Sequence, residues 1–265
     1  MKTLNGIMGS LMLMLATQAP AAMVAKPIAY TVDALPFEGY LVYDDAQTAA
    51  RPGLMMVPNW MGVTPNAIDK AKLVAGKQYV VFVSDIFGKD IRPANASEAE
   101  AAATKVRSDR ASMRKIAQAA VDVLKGQKLA AVDNRRVAAI GFCLGGTSIL
   151  ELARSGADLK AFVSFHGNLD TPNPADANHI KAPVLVLHGA DDPTVSESEI
   201  RDFIKEMKAA PNVDWQFVAY SNTVHSFTNP DAKVPGKYEY NPRTAARSYK
   251  AMNDLLDEQF SAVAH

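Results

Sequence analysis

Eight short apolar runs, set apart by helical patterns, constrain the fold of this chain more than any other feature. They are Ile28–Val32, Gly39–Tyr43, Leu54–Val57, Tyr79–Val83, Val137–Phe142, Ala161–Phe165, Val184–His188 and Trp215–Tyr220. The first two lie close together around Pro36 and predict an antiparallel hairpin. The later runs are continuously apolar, as strands covered on both faces must be. Helical patterns fill the intervals over Asn66–Leu73, Ser97–Leu124, Gly145–Ala153, Ser196–Met207 and Pro242–Phe260. In the last, Ala245, Tyr249, Met252, Leu256 and Phe260 recur at three- and four-residue steps behind an Asn241-Pro242 start signal. Alternation of this kind predicts an α/β protein: a mostly parallel central sheet of about eight strands with helices on both faces.

The 265 residues, 48% of them apolar, suffice to bury one large core, so a single domain is expected over residues 22–265. Twenty-eight basic residues balance 28 acidic ones, so no net field draws the chain to nucleic acid or to an anionic membrane. A small molecule is the expected partner. Residues 1–21 read as a cleavable signal peptide: Lys2, an apolar stretch from Ile7 to Ala16, and small residues around Ala19-Pro20-Ala21. The apolar stretch is too short to span a bilayer, so a periplasmic or secreted protein is expected. Asn95-Ala96-Ser97 has the spacing of a glycosylation acceptor, but a cap for the helix that follows explains it more simply.

Cys143, the single cysteine of the chain, sits in VAAIGFCLGGTS at 137–148, where a strand-like run meets a small-residue helix start. Gly141-Phe142-Cys143-Leu144-Gly145 has the spacing of the G-x-S-x-G nucleophile elbow with cysteine in place of serine. A nucleophile on so tight a turn is presented above the sheet. The helix that starts there points its free N–H groups and positive dipole end at the sulfur, which favours the thiolate. Two further signals follow in the order acid, then histidine. Val184–Leu187 ends in HGADDPTV, with Asp191 and Asp192; Trp215–Tyr220 ends in SNTVHSF, with His225. Catalytic groups in open parallel sheets gather at the carboxyl ends of strands. His225 can take the Cys143 proton through one ring nitrogen while Asp192 holds the other; Pro193 sets the turn after Asp192, and Asp191 should point to the opposite side. His166 and His188 also end strands, but each is followed by glycine and reads as a rim or core residue. A metal site from His188, Asp191 and His225 lacks recognisable ligand spacing.

On GFCLGG at 141–146, HGADDPTV at 188–195, HSF at 225–227 and NWMG at 59–62, nearly the whole mature chain resembles the dienelactone hydrolase family of the α/β-hydrolase fold. The resemblance implies Cys143 as nucleophile, Asp192 as acid and His225 as base. It also implies an oxyanion hole from the backbone N–H groups of Leu144 and Trp60, with no cofactor and no metal. The chain departs from the family's pattern around the substrate. Asn59 stands where a glutamate commonly contacts the thiol, Lys89 stands for the basic residue that grips a substrate carboxylate, with Arg92 close by, and Asn229 replaces a frequent arginine. The expected activity is cofactor-free hydrolysis of small carboxylic esters or lactones through an acyl-enzyme. A thiol-based peroxide-reducing protein would need the low-pKa cysteine without the Asp192 and His225 order, and a silent ligand-binding member of the fold would need none of the three.

Overall fold

The computed structural model describes residues 23–261, and the leader expected over residues 1–21 lies outside the described residues. A hairpin opens the fold, β1 (Met23–Val32) and β2 (Leu35–Asp44). Its two turn residues, Asp33 and Ala34, both adopt positive φ (47° and 67°), the geometry that matches the natural twist of paired strands. Pro36, expected between the strands, lies inside β2 opposite Thr31. Its carbonyl faces away from β1 and accepts the Lys89 N–H at 2.9 Å, so the missing N–H on that side breaks no bond of the β1 ladder.

The chain continues through β3 (Arg51–Val57), α1 (Pro65–Ala75), β4 (Val80–Val83), α2 (Ala96–Ser108), α3 (Arg110–Lys125), β5 (Val132–Phe142) and α4 (Leu144–Arg154). It closes with β6 (Phe162–Phe165), β7 (Val184–Gly189), α5 (Glu197–Ala209), β8 (Trp215–Tyr220), a small hairpin of β9 (Lys233–Val234) and β10 (Tyr238–Glu239), and α6 (Pro242–Ser261). One eight-stranded sheet has the order β1-β2-β4-β3-β5-β6-β7-β8. β1, β2 and β4 pair antiparallel in sequence of neighbours, and every pair from β4 to β8 is parallel. This is the expected α/β-hydrolase arrangement.

The continuous apolar runs are explained by burial on both faces. Met55, Val57 and Phe82 pack on one side with Ala117, Val121 and Leu124 of α3 and Ile149 and Leu152 of α4. Leu54, Met56 and Val81 pack on the other with Ala71 and Val74 of α1 and Leu256 and Phe260 of α6. Successive strand residues alternate between the two cores, as the pleat requires.

The pattern read as one helix from Ser97 to Leu124 is two helices. Asp109 breaks it: its carboxylate accepts the Ser112 N–H at 2.9 Å and caps α3, drawing the backbone out of helical geometry. Asn95 caps α2 by accepting from the Glu98 N–H at 3.0 Å, and Glu98 bonds back to the Ala94 N–H, so the acceptor-like tripeptide is a helix start. No helix among the described residues is long and apolar enough to cross a membrane.

From β3 the chain moves outward to β4, then returns to the other side of β3 to form β5. The carboxyl ends of β3 and β5 therefore flank the point where the winding reverses, the usual site of a ligand crevice in such sheets. Trp60 follows one of these strands and Cys143 the other.

Candidate active site

Cys143 is the hinge between β5 and α4, at φ 56° and ψ −119°, a backbone that L-residues rarely adopt. The flanking glycines make the turn possible. A Cβ on Gly141 would run into the carbonyl of Gly145, and one on Gly145 into the carbonyl of Val57 at the end of β3. The elbow thereby locks α4 against both central strands. Cys143 has no side-chain capping bond, and its N–H donates to the Phe165 carbonyl at 3.0 Å. Cys143 as a residue is half-buried.

The groups that favour the Cys143 thiolate are the His225 side chain and the backbone N–H groups of Leu144 and Trp60. Burial opposes ionisation, but the charge and hydrogen bond of His225, followed by those two amides, outweigh it and hold the thiol below its ordinary range. The two amides that the family resemblance implies for an oxyanion hole are therefore among the groups that act on the Cys143 thiol.

His225 is 2% exposed. Its Nδ1 lies 2.7 Å from Asp192 Oδ2 and 2.9 Å from Thr194 Oγ1. Burial alone would strip the proton from the ring, but the Cys143 sulfur and then Asp192 hold it, and the pKa is pushed up to about 10. Asp192 is buried; burial resists its charge, while His225 and the Thr194 hydroxyl and N–H overcome that and keep the carboxyl below its ordinary value. Thr194 donates to Asp192 Oδ1 through both its N–H, at 2.8 Å, and its hydroxyl, at 2.7 Å. Asp191 is exposed, and its N–H donates to the Thr223 carbonyl. Of the two adjacent carboxylates, Asp192 is thus buried against His225 and Asp191 is exposed.

The loop carrying His225 is clamped from outside. Glu239 of β10 donates its N–H to the His225 carbonyl at 3.1 Å, and the Tyr238 ring meets the imidazole edge-on with centroids 5.6 Å apart. Sequence reasoning missed this hairpin because two-residue strands carry no periodic signal. It also missed Thr194, whose position two residues after Asp192, in Asp-Pro-Thr, is the turn pattern that could have revealed it.

The residues expected around the substrate occupy the same edge but are engaged elsewhere. Asn59 Oδ1 accepts the Met61 N–H at 3.0 Å, and the Asn59 carbonyl accepts from Gly62 at 2.9 Å, so this side chain shapes the loop that aims the Trp60 amide. Lys89 Nζ pairs with Glu38 Oε2 at 3.3 Å. Arg92 is committed to Asp85, at 3.0 Å, and to the carbonyls of Gly88, Ile91 and Glu38. Asn229 Oδ1 accepts from the Asp231 N–H at 3.2 Å and faces the Asn66 amide at 3.4 Å.

His166 and His188 are both buried, as a core reading requires. His188 stacks obliquely on Phe217, with ring centroids 5.4 Å apart, and its Nδ1 has no partner. Burial pushes its pKa down. Among the described residues no group of three or more His, Cys, Asp and Glu side chains is placed to hold a metal ion.

Known proteins with this architecture agree with the motifs. The sequence profile of the Dienelactone hydrolase family matches residues 37–260. A solved structure named m3DLH is 40% identical, superposes with a TM-score of 0.83, and is matched over 89% of this chain and 98% of its own. A dienelactone hydrolase-like promiscuous phosphotriesterase from metagenomic libraries is 38% identical with a TM-score of 0.83, over 90% of this chain and 99% of its own. An uncharacterized protein of Caenorhabditis elegans is 35% identical over 153 residues, 54% of this chain and 92% of that protein. With the elbow, the sheet order and a profile match over most of its length, this chain belongs to the dienelactone hydrolase family.

Proposed function

We propose that this protein hydrolyses small carboxylic esters or lactones by covalent catalysis through Cys143, Asp192 and His225. The observation that carries the reading is the buried His225–Asp192 pair, 2.7 Å apart, whose imidazole together with the Leu144 and Trp60 amides favours the Cys143 thiolate at the elbow. The Cys143 thiolate attacks the acyl carbon, and the carbonyl oxygen takes the negative charge beside the Leu144 and Trp60 N–H groups. The His225 imidazolium then gives its proton to the departing alkoxide, leaving a thioester. Water attacks this thioester while His225 accepts a proton, and collapse of the second tetrahedral intermediate frees the acid and the thiolate. Asp192 and Thr194 hold the imidazole in the tautomer and orientation that both halves need. Donors of the oxyanion type contribute about 3–4 kcal/mol each in known enzymes.

Neutral substrates fit the rim better than carboxylates. Lys89 is satisfied by Glu38, Arg92 by Asp85, and Asn229 carries no charge, so no free guanidinium fork is presented by these positions. Export by way of residues 1–21 belongs to the same proposal, and N-terminal sequencing of the protein made in a secreting host checks it.

The deciding experiment is turnover of a panel of small esters, lactones and phosphotriesters by wild type and Cys143→Ala, with mass spectrometry of the quenched enzyme. A transient acyl adduct on Cys143 and no turnover by the variant are the expected results. Equal turnover by the two proteins would defeat the mechanism, and peroxide consumption without ester turnover would replace it with thiol redox chemistry.

A further inference from the structure

His166 leaves β6 at the sheet edge that carries Cys143, with φ 41°, a left-handed backbone that a histidine keeps only when its surroundings hold it. The residue is 3% exposed and both ring nitrogens are engaged. Nδ1 lies 3.2 Å from the backbone nitrogen of Cys143, and Nε2 lies 2.9 Å from Thr228 Oγ1. A backbone N–H can only donate, so Nδ1 is the acceptor and the ring proton belongs on Nε2, where the Thr228 oxygen receives it. Thr228 is itself held. Lys70 Nζ donates to its carbonyl at 2.8 Å and lies 3.5 Å from both the Thr228 and the Tyr249 hydroxyl, and the same ammonium lies over the Phe142 ring at 4.7 Å. The hydrolytic steps use none of these groups, yet the chain of contacts ends on the nucleophile's own amide.

Two neighbouring imidazoles are in this way given opposite tasks. The ring centroids of His166 and His225 are 5.0 Å apart. His225 has a carboxylate on Nδ1 and carries the charge. His166 has a hydroxyl, an amide and the rings of Phe142 and Phe227, and burial, then the charges of His225 and Lys70, keep its pKa well below the ordinary value. A proton on Nδ1 would set donor against donor at Cys143 and add a second positive charge beside the His225 imidazolium.

We propose that His166 is a positioning residue for hydrolysis: Thr228 fixes it as the neutral Nε2–H tautomer, and its Nδ1 receives the Cys143 N–H and holds the elbow so that the sulfur faces His225 and the two amide donors. This rests on the reading of Cys143 as nucleophile. Because the Cys143 N–H also reaches the Phe165 carbonyl, at 3.0 Å, loss of His166 shifts the turn without dissolving it.

The test compares His166→Asn, which places an amide oxygen near the position of Nδ1 and tolerates positive φ, with His166→Leu, which has no acceptor; Thr228→Val removes the tautomer lock. The readouts are kcat and KM on a neutral ester, the pH midpoint of iodoacetamide alkylation at Cys143, and Tm. His166→Leu should lower kcat about tenfold, the scale of one lost hydrogen bond, change KM by no more than about threefold, and move the alkylation midpoint upward. His166→Asn should return kcat to within about threefold of wild type, with Thr228→Val between the two. Both His166 variants lose the ring packing and both should lower Tm, so stability alone cannot separate them. Equal losses in the two, or an unmoved alkylation midpoint in His166→Leu, overturns the proposal. Alkylation is read on the sulfur without any ester, whereas failure of the nucleophile assignment shows in Cys143→Ala, so the two failures are distinguishable.

Discussion

Helix α4 carries a cluster of buried charge at each end, and the two clusters are built on opposite plans. Below its last turn, Arg154 is 1% exposed and grips Glu206 through Nε at 2.7 Å and Nη2 at 2.8 Å. Its Nη1 bonds Glu151 at 3.0 Å and Nη2 also reaches the Leu169 carbonyl, while Glu151 continues to Arg114 and on to Asp176. At the first turn, Cys143, His225 and Asp192 also form a line of opposite charges, but it ends at the elbow, in the half-buried Cys143. Both ends suit the helix dipole, anion at the start and cation at the finish. Burial pushes the Glu206 carboxyl up in spite of the guanidinium beside it, the mark of a pair that little more than offsets its own desolvation. Buried charge is therefore no signature of function by itself. The end at Cys143 differs in that, under the proposed mechanism, one member has no neutralising partner beyond an imidazolium that must later surrender its proton.

The largest expected effect strikes the open end alone. Cys143→Ala should lower hydrolysis by at least about 10³-fold with Tm nearly unchanged, checked by initial rates and a thermal melt. Asp192→Asn should cost about 10²- to 10⁴-fold in kcat, because it removes the acceptor that fixes the His225 tautomer, while Asp191→Asn stays within about threefold of wild type. Equal losses at the two positions would mean that the wrong carboxylate has been assigned.

At the closed end the expected effects exchange places. Glu206→Ala removes the bidentate partner of Arg154 and leaves it only Glu151 and the Leu169 carbonyl, so it should lower stability by about 3 kcal/mol in a urea titration, with kcat per folded molecule retained. A large kcat loss there would erase the contrast between the clusters.

A pH series sharpens the contrast further. Ionisation of a thiol held below its ordinary range sets the acid limb of the rate profile, and proton loss from His225 near pH 10 sets the alkaline limb. A histidine raised from 6.5 to about 10 contributes fully below its unfolded value and loses that contribution as pH rises through 10. In Cys143→Ala the largest source of that rise is gone, so the alkaline loss of stability should be smaller and complete at lower pH; an unchanged profile would show that Asp192 alone holds the proton.

The smallest effect is one of selectivity. Asn229→Arg should raise kcat/KM for a carboxylate-bearing ester relative to its neutral match by about tenfold. A wild-type preference for the carboxylate of about a hundredfold, near 2.7 kcal/mol, would show that an anion grip already exists.

The amino-acid sequence by itself determined the alternation of strands and helices, the glycine-flanked elbow, and the order in which Cys143, Asp192 and His225 leave the strand ends. These are local or ordered signals: glycine spacing follows from backbone clashes within a few residues, and apolar runs follow from burial on both faces. The strand ends that present Trp60, Cys143, Asp192 and His225 were legible for the same reason. The break at Asp109 was not, because a capping aspartate and a helix-interior aspartate have the same neighbours until the backbone chooses between them. Tertiary structure alone decided what each rim group faces. Lys89 looks available until β2 brings Glu38 beside it, and His166 looks idle until Thr228, 62 residues away, meets its Nε2. Hydrogen bonds and ion pairs act over about 3 Å and carry no trace in sequence spacing, so the fold had to be in place before the partners of these side chains existed.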